Sequence, residues 1–180
     1  MRVLPWVFFL LISGLAVFFI IESNIKDGDG TVETLNSQQP VVIEDADIYD
    51  YESSDMLSWI KVKKVLSYEK SHIVLLFDIN AEIYSDRGKG KPAYIKADFG
   101  KIYQKTKRVH LSGNLIADME GKRLETEELI LDHVKKRIYN QKKVWVYDNK
   151  SDMHAESMIY DIKSRQLRLN KVEVKFKNAI

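Results

Sequence analysis

Nineteen consecutive residues near the amino terminus, Val3 through Ile21, carry no charge; Arg2 precedes the run and Glu22 ends it. As a helix at 1.5 Å per residue this stretch is about 28 Å long, close to the roughly 30 Å hydrocarbon core of a bilayer. A cleavable leader has a shorter apolar region and small residues at its exit. Here the exit is Phe18-Phe19-Ile20-Ile21, and the one cluster of small residues, Ser13-Gly14-Leu15-Ala16, lies mid-run. The expectation is a retained anchor over residues 1–22, with Arg2 and the amino terminus on the inner side. No cysteine follows, which excludes lipid attachment through a thiol, disulfides and thiolate metal sites together.

Charge divides the rest of the chain. From Ser23 to Ile60 nine acids face one base, Lys26; from Lys61 onward 26 Lys and Arg stand against 16 Asp and Glu. Residues 23–40, with Asp27-Gly28-Asp29-Gly30 and Ser37-Gln38-Gln39-Pro40, have the polar, glycine-bearing composition of a tether. The basic balance beyond it suits either an anionic ligand or simply solvated strand faces that deter edge pairing.

Residues 41–180 then change period. Ile73, Leu75, Phe77, Ile79, Ala81 and Ile83 alternate with Val74, Leu76, Asp78, Asn80, Glu82 and Tyr84. Arg108 to Leu115 and Lys171 to Phe176 alternate likewise. Period-two patterning buries one face of each strand and predicts antiparallel sheets, an all-β body. Turn chemistry at Asp86–Pro92, Glu120-Gly121-Lys122, Asn140-Gln141-Lys142 and Asp148–Ser151 separates the runs. Ala97-Asp98, Thr126-Glu127 and Ala155-Glu156 recur at intervals of 29 residues, each opening a pair of strands, so stacked two-strand units are expected. Gly113 reads as a bulge or a point of close approach.

No constellation in the chain suits catalysis. His72, His110, His133 and His154 are scattered singly, and Asp132-His133 would point to opposite faces of a strand. There is no Gly-x-Ser-x-Gly elbow and no phosphate-binding glycine template. The reading is of a non-enzyme without metal or cofactor.

The plan of anchor, tether and strand train resembles the LptC family, the inner-membrane-anchored periplasmic components of the lipopolysaccharide export bridge. The resemblance is carried by Trp59-Ile60-Lys61-Val62, Ile95-Lys96-Ala97-Asp98, Leu111-Ser112-Gly113-Asn114-Leu115, Leu124-Glu125-Thr126 with Leu129 and Asp132, and Leu167-Arg168-Leu169 before Val172. One departure is that many members place a glycine near Asp152-Met153-His154, and this chain has none. The resemblance implies an open β-jellyroll that shields acyl chains between its sheets. It implies lipopolysaccharide as cargo, the permease subunits LptF and LptG with the ATPase LptB as donors, and LptA as acceptor.

On that reading the inward residues Ile60, Val62, Ile73, Leu75, Phe77, Ile79, Ala97, Phe99, Val109, Leu111, Leu115, Val144, Val146 and Leu169 line the lipid groove. The last strand, with Val172, Val174 and Phe176, is the partner-binding edge. The same inward faces also suit the core of a closed sandwich. A membrane-tethered β-domain acting only as an assembly adaptor is therefore the alternative.

Overall fold

The structure, a computed structural model, describes residues 39–52, 55–84, 92–119, 121–161, 163–164 and 166–177. The expected anchor and nearly all of the tether lie outside the described residues. Among the described residues no helix is long and apolar enough to cross a membrane.

The described chain is all-β. Six long strands come first: β1 (Val41–Glu52), β2 (Asp55–Tyr68), β3 (Ile73–Ile83), β4 (Ala93–Tyr103), β5 (Arg108–Met119) and β6 (Lys122–Asp132). Six short ones follow: β7 (Arg137–Asn140), β8 (Val144–Tyr147), β9 (Ser151–Ala155), β10 (Ser157–Asp161), β11 (Gln166–Asn170) and β12 (Glu173–Phe176). Every pairing is antiparallel. The long strands meander in sequence order. The sheet then forks at β6, whose end at Ile130–Asp132 pairs with β7 and whose start at Arg123–Thr126 pairs with β8. One branch runs β7-β10-β11, the other β8-β9-β12.

The fork continues a crease that crosses every long strand. Ladder pairing lapses at Asp45 and Lys63, at Asp78 and Asp98, at Gly113-Asn114 and at Glu127. Asp45, Asp78 and Asn114 are in the left-handed region (φ 51°, 54° and 44°), as is Gly113 at 77°. Asp and Asn tolerate this region better than other residues with a side chain. One such residue turns an extended strand sharply and reverses which face its neighbours present. Val62 and Val65, Leu76 and Ile79, Thr126 and Leu129, and Ala155 and Met158 are thus all buried, three residues apart, with an exposed residue between.

The result is two layers joined along the crease, each nine strand segments wide among the described residues. The first holds one half of β1–β6, then β7, β10 and β11; the second holds the other halves, then β8, β9 and β12. Among the described residues the sheet is open: β1 pairs only with β2, β11 only with β10 and β12 only with β9.

The 29-residue recurrence now has a physical meaning. Asp98, Glu127 and Glu156 are successive crossings of the crease in the same direction, one out-and-back pair of strands apart. The hairpin ends repeat with the same period. Arg108 Nε donates to Asp132 Oδ2 at 3.0 Å, and Arg137 Nε to Asp161 Oδ2 at 3.4 Å. Asp132 also accepts from the Lys135 amide and Asp161 from the Ser164 amide. Burial alone would raise the Asp132 pKa, but the Lys135 amide and the Arg108 guanidinium outweigh it and hold the carboxyl below its ordinary value.

Candidate functional site: the interior and its open edge

Both layers contribute to a single apolar cluster. Ile60, Val62, Ile79, Ala97, Val109, Leu111, Leu115, Val144 and Val146 all belong to it and are buried, Val62 completely. Leu169 is half-buried and packs against it, while Ile73 is buried outside it. The layers approach closely near the crease: a Cβ on Gly100, in the first layer, would lie 2.7 Å from Ile79 Cδ1, in the second. Glycine leaves room there for the isoleucine from the facing layer.

Leu75, Phe77 and Phe99 sit differently from the alternation reading. Leu76, not its neighbours, belongs to the core, so Leu75 and Phe77 face outward. Phe77 pairs in register with Phe99, and the rings meet edge-on with centroids 5.3 Å apart, outside the core cluster. The left-handed Asp78 is the cause. It falls where strict alternation expects an ordinary outward polar residue, and it shifts the phase of everything before it. Gly100, buried between Ile79 and Leu111, occupies the inward place that alternation from Ala97 assigns to Phe99.

Where β7 leaves off and β8 begins, the crease holds a buried polar network. Asn140 Nδ2 donates to Thr126 Oγ1 at 2.9 Å, the Thr126 hydroxyl donates to the Lys143 carbonyl at 2.9 Å, and the Met158 amide donates to Asn140 Oδ1 at 2.8 Å. Each buried polar side chain here is satisfied, as burial requires. Asn140-Gln141-Lys142, expected as a hairpin turn, is instead the step by which the chain passes from one layer to the other.

Burial falls away at the ends of the stack. Val174 pairs with Met153, which packs on the core, so Val174 faces the interior, with Val172 and Phe176 on the same side by alternation. Yet these three are 42, 44 and 77 % exposed. In β1, Ile43 pairs with the buried Val65 and is 48 % exposed. The apolar lining therefore runs from a water-excluded centre out to strands whose outer backbone edges have no partner strand among the described residues. Such edges accept an added strand.

Among the described residues no three metal-ligating side chains converge.

A model of the family described as lipopolysaccharide-assembly, LptC-related, matches residues 7–175. Among solved structures the chain is similar to LptH, described as the LptA homologous periplasmic component of the conserved lipopolysaccharide transport device from Pseudomonas aeruginosa. That similarity spans 79 % of this chain and 97 % of the other, at 8 % sequence identity and a TM-score of 0.30. Comparison with curated proteins found no match. With the match running over nearly its whole length, the chain belongs to the LptC-related family of lipopolysaccharide assembly.

Proposed function

We propose that this protein is a single-pass inner-membrane protein, anchored by residues 1–22, whose β-body stands in the periplasm and carries lipopolysaccharide. It takes the lipid from an ABC transporter of permease subunits LptF and LptG with the ATPase LptB. It passes the lipid to an LptA-like bridge protein docked on the β12 edge. The protein performs no reaction and needs no cofactor. Shielding acyl chains is hydrophobic transfer, worth roughly 0.8 kcal/mol per buried methylene, and asks for shape and apolarity rather than for named polar groups.

The observation that carries this reading is the continuity of the lining. The face that is sealed at Val62 and Leu115 is the one that surfaces at Val172, Val174 and Phe176. Loading requires the two layers to part, and the crease joins them along one side only.

A second reading, that of a pure assembly adaptor, is favoured by the close packing of the centre, where Ile138 is fully buried and Leu115 1 % exposed. Mass spectrometry of lipids that co-purify with the full chain in detergent separates the two. Bound lipopolysaccharide is expected of the carrier. A lipid-free chain that still binds its partners contradicts carriage and leaves the adaptor.

A further inference from the structure

The outer face of the second layer, turned away from the interior, carries a row of side chains that lie outside the core cluster. Tyr49, Trp59, Glu82, Tyr94 and Asp118 are consecutive cross-strand partners from β1 to β5. Tyr49 and Trp59 stack, with centroids 6.4 Å apart and planes 15° from parallel. The Trp59 indole N–H donates to Asp47 at 2.9 Å, which fixes its plane. Tyr94, two strands from Trp59, stands 53 % exposed. Between Trp59 and Tyr94 lies a depression of about 150 Å³, floored by Ala81 and Ile95. A volume of about 150 Å³ admits one six-membered ring.

Its lining is mixed: most of it is apolar, Ile116 included, and four polar side chains share it. Asn80, Glu82, Lys96 and Asp118 surround the depression. Tyr84 O–H donates to Glu82 at 2.6 Å, and this orients the carboxylate. Among the described residues the side chains of Asn80, Lys96 and Asp118 make no hydrogen bond or ion pair, so an amide, an ammonium and a carboxylate stand unused around one ring-sized hollow. Isolated surface aromatics are ordinary. An aromatic row interleaved with unpartnered donors and acceptors is a different surface, with apolar flats for stacking and polar groups for orientation.

We infer that this outer depression is a carbohydrate-binding site, with one sugar ring seated between Trp59 and Tyr94 and its hydroxyls hydrogen-bonded to Asn80, Glu82, Lys96 and Asp118. A sugar ring has apolar C–H faces and a rim of hydroxyls that both donate and accept, which matches this alternation. The mixed lining disfavours an acyl chain, which offers no hydrogen bond to the four polar groups. The site lies on the opposite face of the sheet from the lipid interior and does not depend on lipid carriage. Its saccharide comes either from the sugar portion of the carried lipid or from a glycan in the surroundings.

The test titrates the full chain in detergent with two probes, followed by saturation-transfer NMR. One is the core oligosaccharide of lipopolysaccharide with all lipid removed; the other is the N-acetylglucosamine–N-acetylmuramic acid disaccharide. Saturable binding of either is expected, weakened roughly tenfold by Tyr94→Ala, the loss of one stacking contact, and also weakened by Asp118→Asn. A response to the core oligosaccharide alone assigns the sugar of the cargo, and a response to the disaccharide assigns a surrounding glycan. The site is overturned if neither probe saturates the protein, whether or not a protein partner binds this face, or if both variants bind as the parent does. Loss of sugar binding with lipopolysaccharide still co-purifying would sink this site while leaving carriage intact.

Discussion

Gly113 lies against Asp98 within the crease: a Cβ on the glycine would sit 2.9 Å from Asp98 Cβ and 2.8 Å from its Oδ2. The same Asp98 Oδ2 accepts from Asn114 Nδ2 at 2.7 Å. The Gly-Asn pair of the Leu-x-Gly-Asn motif is thus the hinge point of β5, two left-handed residues set opposite one aspartate. Gly113→Ala is expected to cost about 1–3 kcal/mol through the strained φ and the clash, read as a fall of several degrees in Tm. An unchanged Tm would mean that the crease at β5 relaxes freely.

Asp132 gives a pH signature. Its pKa in the folded chain is lowered, so its pairing stabilises the fold above the unfolded carboxyl value near 4 and is lost as pH falls through the lower folded value. Asp132→Asn is therefore expected to destabilise at pH 7 by about 1–3 kcal/mol, leaving Arg108 and the Lys135 amide poorly matched. The difference from the parent should shrink below about pH 4. Denaturant titrations at pH 7 and pH 3 check this; an equal deficit at both would show that the ion pair contributes nothing.

At the terminal edge, Val174→Lys places a charge on the inward side of β12, where a docking strand would extend the apolar lining. Binding of the LptA-like partner is expected to weaken by roughly tenfold or more. The half-exposed position, 44 % open, should leave the fold itself nearly unchanged in circular dichroism. Normal partner affinity would move the docking surface elsewhere, with β1 the next edge to probe.

Alternation makes the strands legible, and the recurrence of Ala97-Asp98 at Thr126-Glu127 and Ala155-Glu156 shows a 29-residue repeat; that Asp98 and Glu127 turn a strand in its middle instead of opening one is not visible in it. Gly113 announced itself because glycine is the usual left-handed residue. Asp45 and Asp78 did not, since an aspartate in an outward slot looks the same whether the strand runs straight or turns. Strict alternation therefore puts Ile73, Leu75 and Phe77 inward and Leu76 outward. The turns around Lys107 and Lys136 are hidden in the sequence for a related reason: both lysines are left-handed, and neither turn carries the glycine or proline that flags one. The outer row of Tyr49, Trp59 and Tyr94 needs register to be seen, because its members lie far apart in the chain and meet only as cross-strand partners.

Adjacent residues on opposite faces give the most direct test of carriage. A photo-crosslinking amino acid placed at Leu76 or Leu111 faces the interior, whereas one at Phe77 faces outward. With the transporter active, lipopolysaccharide adducts are predicted at Leu76 and Leu111 and not at Phe77. Adducts at Phe77 alone, or none at either inward position while the partners remain bound, would contradict a lipid path between the layers.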